Sequence, residues 1–131
     1  MDILETVYNT LRSDSFINSE VGGRIKYYDY PATGDLTGPT IVIEEVDAPM
    51  PSDYADNNWM TDDFFVHIEV WVKGNRKKRD AIAARIRQVM WDKLGFAQSS
   101  SMRPEWDKPT NTFRDARRYR GKTYRDDIDT L

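Results

Sequence analysis

Residues 61–73 read Thr-Asp-Asp-Phe-Phe-Val-His-Ile-Glu-Val-Trp-Val-Lys. Phe64, Val66, Ile68, Val70 and Val72 share one parity, and Phe65, His67, Glu69 and Trp71 share the other. A period of two built from β-branched and aromatic residues predicts a strand with one buried face. The first set is wholly apolar and is expected to face the core. The second is mixed and is expected to face a partly wet surface or a partner. Gly74 and Asn75 break the strand, and a helical pattern follows to Leu94. Ile82, Ile86, Val89, Met90 and Leu94 form its apolar stripe, while Ala83 and Ala84 permit close approach to a sheet. Asn75 suits the N-cap and Gly95 the C-terminal cap. Arg76, Lys77, Lys78 and Arg79 crowd the first turn against the helix dipole, as solvated cations or as partners for acids on another subunit.

The remaining segments read as additions to this unit. Residues 2–12 predict a short amphipathic helix, with Ile3, Leu4, Val7, Tyr8 and Leu11 on one stripe and Asp2 and Glu5 at its positive end. Residues 13–18 read as a turn with Phe16 and Ile17 tucked inward. Residues 24–30 read as a strand ended by Pro31, which cannot donate to a ladder. Residues 32–39 read as a loop, and 40–46 as a strand, apolar on both sides and so suited to the middle of a sheet. Residues 47–60 read as a long irregular loop, because Pro49 and Pro51 oppose pairing and Ser52, Asp53, Asp56, Asn57 and Asn58 favour turns. That loop is either a surface loop or a docking loop that orders on a partner. Residues 96–102 read as a strand and 103–109 as a loop carrying Trp106. Residues 111–124 read as an edge strand, with Phe113, Asp115, Arg117 and Tyr119 opposed to Arg114, Ala116, Arg118 and Arg120. Residues 125–131 read as a polar tail.

Composition narrows the chemistry. The 131 residues suit one soluble globular domain, 39% hydrophobic and 31% charged. With no cysteine, disulfides, thiolate metal sites and cysteine nucleophiles are excluded, which fits a reducing compartment. No apolar run approaches the roughly 18 residues that span a bilayer, and no signal-peptide pattern opens the chain, so no membrane partner is expected. A net charge of −3 does not recruit nucleic acid in bulk, but residues 44–63 are acidic and 114–125 basic.

The single histidine, His67, sits beside Glu69, where it reads as a satisfied or solvated side chain in preference to a general base. The acidic pairs Glu44–Glu45, Asp62–Asp63 and Asp126–Asp127 suggest a two-carboxylate magnesium site only on paper, since neighbours on a strand point to opposite faces. Phosphate-loop, dinucleotide and nucleophile-elbow motifs are absent. No cofactor, metal or enzymatic activity is expected. Arg114, Arg117, Arg118 and Arg120 interleaved with Phe113, Tyr119 and Tyr124 suit either a protein interface or, as the alternative, a small nucleic-acid-binding module on residues 113–124.

Four stretches carry a family resemblance: Arg24-Ile25-Lys26-Tyr27-Tyr28-Asp29-Tyr30-Pro31, Gly38-Pro39-Thr40-Ile41-Val42-Ile43, Pro49-Met50-Pro51-Ser52-Asp53-Tyr54 and Asp115-Ala116-Arg117-Arg118-Tyr119-Arg120-Gly121. In their order, and with this chain length, they resemble the tail-completion, or tail-to-head joining, proteins of long-tailed, siphovirus-type bacteriophages. The resemblance spans most of the chain. It implies an α+β fold: a mostly antiparallel sheet on two main helices, with one long irregular loop. It implies a structural protein of the virion tail, assembled in the host cytoplasm, monomeric when free and hexameric as a ring. The ring closes the head-proximal end of the tail tube, binds the head connector and lets DNA pass without specific binding. The expected partner interface comprises Arg114, Arg117, Arg118, Tyr119 and Arg120 on the basic strand, and Met50, Asp53, Tyr54, Asp56 and Trp59 in the excursion. The aspartates of that excursion either dock on a partner or line the channel.

Overall fold

The alternating segment is the spine of the sheet. The computed structural model describes residues 1–31 and 36–127. In chain order these form α1 (Ile3–Arg12), α2 (Ser15–Val21), β1 (Ile25–Tyr27), β2 (Thr40–Ala55), β3 (Asn58–Lys73), α3 (Arg76–Val89), a π-helical turn (Met90–Leu94), β4 (Ala97–Ser101), β5 (Glu105–Asp107) and β6 (Thr112–Tyr124). The strand order is β1-β2-β3-β6-β4, with β5 also paired to β6. Only β1 and β2 run parallel; the other pairings are antiparallel. The fold is α+β, as expected. Residues 32–35 of the expected loop and 128–131 of the expected tail lie outside the described residues.

The apolar parity of β3 faces the helices. Phe64, Val66, Ile68, Val70 and Val72 pack with Ile3, Leu4, Val7 and Leu11 of α1, Ile17 and Val21 of α2, and Ile82, Ala83, Ile86 and Val89 of α3. Burying each aliphatic side chain contributes about 1.5–3 kcal/mol relative to exposure. Asp2 caps α1 by accepting from the Glu5 amide, and Asn75 caps α3 by accepting from the Lys78 amide. Gly95 ends the π turn in the left-handed region at φ 69°. Gly121 has a steric role: a Cβ there would lie 2.2 Å from the Phe96 ring, which is buried and stacks on Phe64.

Four expectations are corrected. Residues 13–18 do not form a simple turn, because Asp14 accepts from the Ile17 amide and starts α2. Ile17 is tucked inward as expected, whereas Phe16 is largely exposed. The 40–46 strand is not central; β3 is, and β2 lies next to the edge. Residues 111–124 are not an edge strand, since β6 lies between β3 and the β4 and β5 segments.

The largest correction concerns residues 47–60, which are not an irregular loop. β2 and β3 each run for 16 residues, roughly 50 Å at about 3.3 Å per residue, as one hairpin. Pairing persists to Tyr54–Trp59 and Ala55–Asn58. Asp56 and Asn57 close the turn at φ 50° and 65°, the two positive values that a type I′ turn requires. The prolines are tolerated for a positional reason. Pro49 falls in a register break between Asp47 and Met50. Pro51 lies beyond Ile43, where β1 no longer covers the outer side of β2, and prolines are accommodated on such edges.

Candidate partner interface

The strand registers divide the expected interface residues between two faces. Arg114, Ala116, Arg118 and Arg120 lie opposite Trp71, Glu69, His67 and Phe65, on the sheet face away from the helices. Met50 lies opposite Asp63, and Asp63 opposite Lys122, on the same face. Thus most of the basic strand and the outer hairpin share one surface. Arg117 and Tyr119 lie opposite Ile68 and Val66, on the helix side. Tyr119 is 1% exposed and burial raises its hydroxyl to about 12, so it belongs to the core and not to an interface. Arg117 is held by Asp115 at 3.0 Å and by Gln98.

The middle of the open face is closed by its own side chains. Glu69 is 2% exposed and His67 3%, so the middle of the face is dry, while Phe65 and Trp71 on either side of it are half-buried and leave the face partly wet, as expected. Four N–H donors converge on the Glu69 carboxylate: Arg114 Nε at 2.5 Å and Nη2 at 2.9 Å, His67 Nε2 at 2.7 Å and Trp71 Nε1 at 3.0 Å. Burial alone would push the Glu69 carboxyl up. The hydrogen bonds from His67 and Arg114, with the Arg114 charge, outweigh it and hold the group down to about 2. Hydrogen bonding to Glu69 correspondingly raises Arg114, which also binds Glu105 at 2.9 Å. Tyr30 packs against Trp71, and its hydroxyl is raised first by burial and then by hydrogen bonding to Glu44. Arg114 is therefore a structural anchor, and His67 is sealed away from any substrate.

The exposed part of the face lies towards the hairpin tip. Phe65 is half-buried, with the Arg120 guanidinium 4.2 Å and that of Arg118 5.8 Å from its ring centroid. Neither arginine has an acidic partner among the described residues. Met50 is 60% and Tyr54 70% exposed. Asp53 adopts φ 52°, and its carboxyl is lowered by the Thr61 hydroxyl at 2.6 Å and by Lys122 at 3.1 Å. Trp59 is half-buried under Arg125, whose guanidinium sits 3.8 Å from the ring centroid and donates to the Trp59 carbonyl. Asp56 sits at the turn and is exposed.

Sequence reasoning missed Phe65, Lys122 and Arg125 in this surface. The signal for Phe65 was its parity with His67 and Glu69. Arg125 was masked by its place in an apparently polar tail. Two of the four first-turn cations of α3 find partners: Lys78 pairs with Glu20, and buried Arg79 with Asp80 and the Phe113 ring. Among the described residues no three metal-ligating side chains gather.

No sequence family matches the chain, and no curated protein matches it. A solved structure does match in three dimensions: a chain of the virion of a native gene transfer agent particle. The superposition has a TM-score of 0.66, covers 91% of this chain and 92% of that one, and has 16% identity. The two chains share one fold. At this identity the likeness speaks to architecture alone.

Proposed function

We propose that this protein is a structural component of a phage-like virion, and that it caps the head-proximal end of a tail tube and joins the tail to the head connector. The observation that carries the reading is the near end-to-end fold likeness to a virion chain. The four sequence stretches resembling tail-completion proteins support the finer role. Their third stretch lies in the β2 arm of the outer hairpin, and their fourth forms the part of β6 that bears Arg118 and Arg120. In this reading the protein works by contact. Arg118 and Arg120 donate charge-assisted hydrogen bonds to an acidic partner surface, the outer hairpin docks beside them, and copies close into a ring through which DNA passes.

The nucleic-acid alternative uses the same arginines but has less support. A stacking platform needs an open aromatic face, and Arg120 lies directly over Phe65.

Arg118→Glu tests the joining role. Arg118 is half-buried and contacts only the Phe65 ring through its charge. The variant is therefore expected to fold with a thermal midpoint near wild type, while electron microscopy of lysates shows separate heads and tails. Normal joined particles would refute the role. A gel shift that weakens steeply with salt would favour the alternative.

A further inference from the structure

The two edges of the sheet are guarded unequally. Beyond Ile43 the free edge of β2 carries Glu44, Glu45 and Asp47, and Pro49 and Pro51 lack the amide hydrogens that a further strand needs. On the opposite edge, β5 carries Glu105 and Asp107. β4 reads Ala-Gln-Ser-Ser-Ser, with neither a charge nor a proline. Among the described residues it is paired on one side alone, to β6. Ala97, Ser99, Ser100 and Ser101 are exposed. The outer side of β4 is therefore a free row of backbone donors and acceptors.

A pocket of about 420 Å³ opens where this strand begins. Its walls are Arg87, Gln88 and Trp91, from the end of α3 and the π-helical turn, with Phe96, Ala97 and Gln98. Arg87 is the single charged residue among these six. It is exposed and has no acidic partner among the described residues. The π-helical turn buries Met90 and leaves Trp91 58% exposed. An unopposed guanidinium selects a carboxylate, and an exposed indole selects an apolar side chain. On the open face of the sheet, Arg120 and Arg118 stand beside Ala97 and Ser100, so the β4 edge is positive on both faces.

We infer that β4 takes up an extended acidic segment of another protein as an added strand, with a carboxylate of that segment on the Arg87 guanidinium and an apolar residue two positions away against Trp91. The spacings agree. Arg87 and Trp91 are one helical turn apart, about 6 Å of rise, and side chains two apart on a strand share a face about 6.6 Å apart. The ladder supplies affinity and the pocket supplies selectivity. A second copy of this chain does not supply the strand. Its free acidic edge is the one broken by Pro49, Pro51 and the register shift between Asp47 and Met50. The inference stands on the edge and the pocket and does not depend on the joining role.

Two synthetic peptides test it by NMR: Thr-Thr-Glu-Thr-Ile-Thr-Thr and the same sequence with lysine in place of glutamate. The glutamate peptide is expected to shift the amides of Ala97–Ser101 saturably, and the lysine peptide to bind at least about tenfold more weakly. Arg87→Glu reverses that preference, and Trp91→Ala weakens the glutamate peptide about tenfold. Both side chains are exposed, so each variant should keep the wild-type circular dichroism. N-methylating the three central residues of the peptide, which removes their ladder donors, abolishes the shifts. Equal binding of the two peptides, undiminished binding of the methylated one, or no saturable shift at millimolar peptide overturns the inference. So does an equal response of the same amides to oligothymidylate, which would assign the cations to phosphate. Self-association of the free protein that Arg87→Glu abolishes would assign the edge to a second copy and overturn it as well.

Discussion

At the scale of single residues, Glu69 shows how a charge is kept inside a sheet. A buried carboxylate is tolerated when donors surround it, and removing one partner of such a pair costs about 3–5 kcal/mol. Four donors meet Glu69 here. Its folded value of about 2 lies below its ordinary 4.5, so its ionised form stabilises the protein above about pH 4.5, and that contribution fades as pH falls towards 2. The shift corresponds to stabilisation on the order of 3 kcal/mol at neutral pH. Urea unfolding across this window should show wild type losing stability steeply. Glu69→Gln should be weaker at pH 7 and fall less steeply below pH 4.5, since Asp14 and Asp53 still titrate there. Parallel curves for the two proteins would show that the carboxylate is not the titrating group. The parity of β3 made Glu69 visible as a residue of the second face. It could not show that Arg114, 45 positions away, would fold over it.

At the scale of elements, the hairpin is where local propensity and tertiary pairing disagree. Residues 47–60 carry the composition of a loop, yet β3 supplies a continuous partner and β6 supports β3 from the other side as far as Thr61–Tyr124. The deciding signal was short: Asp56-Asn57, two residues that enter the left-handed region more readily than most, flanked by segments that can pair. Amide exchange offers a direct check. The β3 amides of residues 58–63 are expected to exchange slowly, at rates typical of paired strands, with the fast sites confined to the turn and the outer edge of β2. Complete exchange throughout 47–60 in the dead time would restore the loop reading. The helices were more legible. α1 and α3 show apolar stripes at helical spacing with recognisable caps, whereas α2 is seven residues long and too short for the stripe to be read.

At the scale of the whole molecule, the helix-covered half holds the core and the projecting half stands outside it. The hydrophobic core comprises α1, α2, α3 and the inner sheet, and no residue from Glu44 to Met60 belongs to it. Stability and the proposed contact role are therefore separable. Replacing residues 53–60 with a two-residue turn should move the thermal midpoint by only a few degrees, because little apolar area is lost. Under the proposed role the same change should abolish joining of heads to tails. A large drop in the midpoint would mean that the hairpin supports the core; full joining would mean that the tip is not a contact. The uncompensated charges follow the same division. Arg118 and Arg120 flank Phe65 on the open face, while Glu45 and Asp47 lie on the exposed outer half of β2.

The sequence by itself determined the spine: the period-two apolar set from Phe64 to Val72, the break at Gly74-Asn75 and the amphipathic helix after it, because side-chain periodicity is a local property of the backbone. It also marked Arg120 and Tyr54 as exposed. Only the tertiary structure decided that Tyr119 is core, that Arg114 is bound to Glu69, and that the proline-rich excursion is a paired hairpin. Each of those outcomes depends on which strand lies alongside, a contact between residues far apart in the chain that no local pattern encodes.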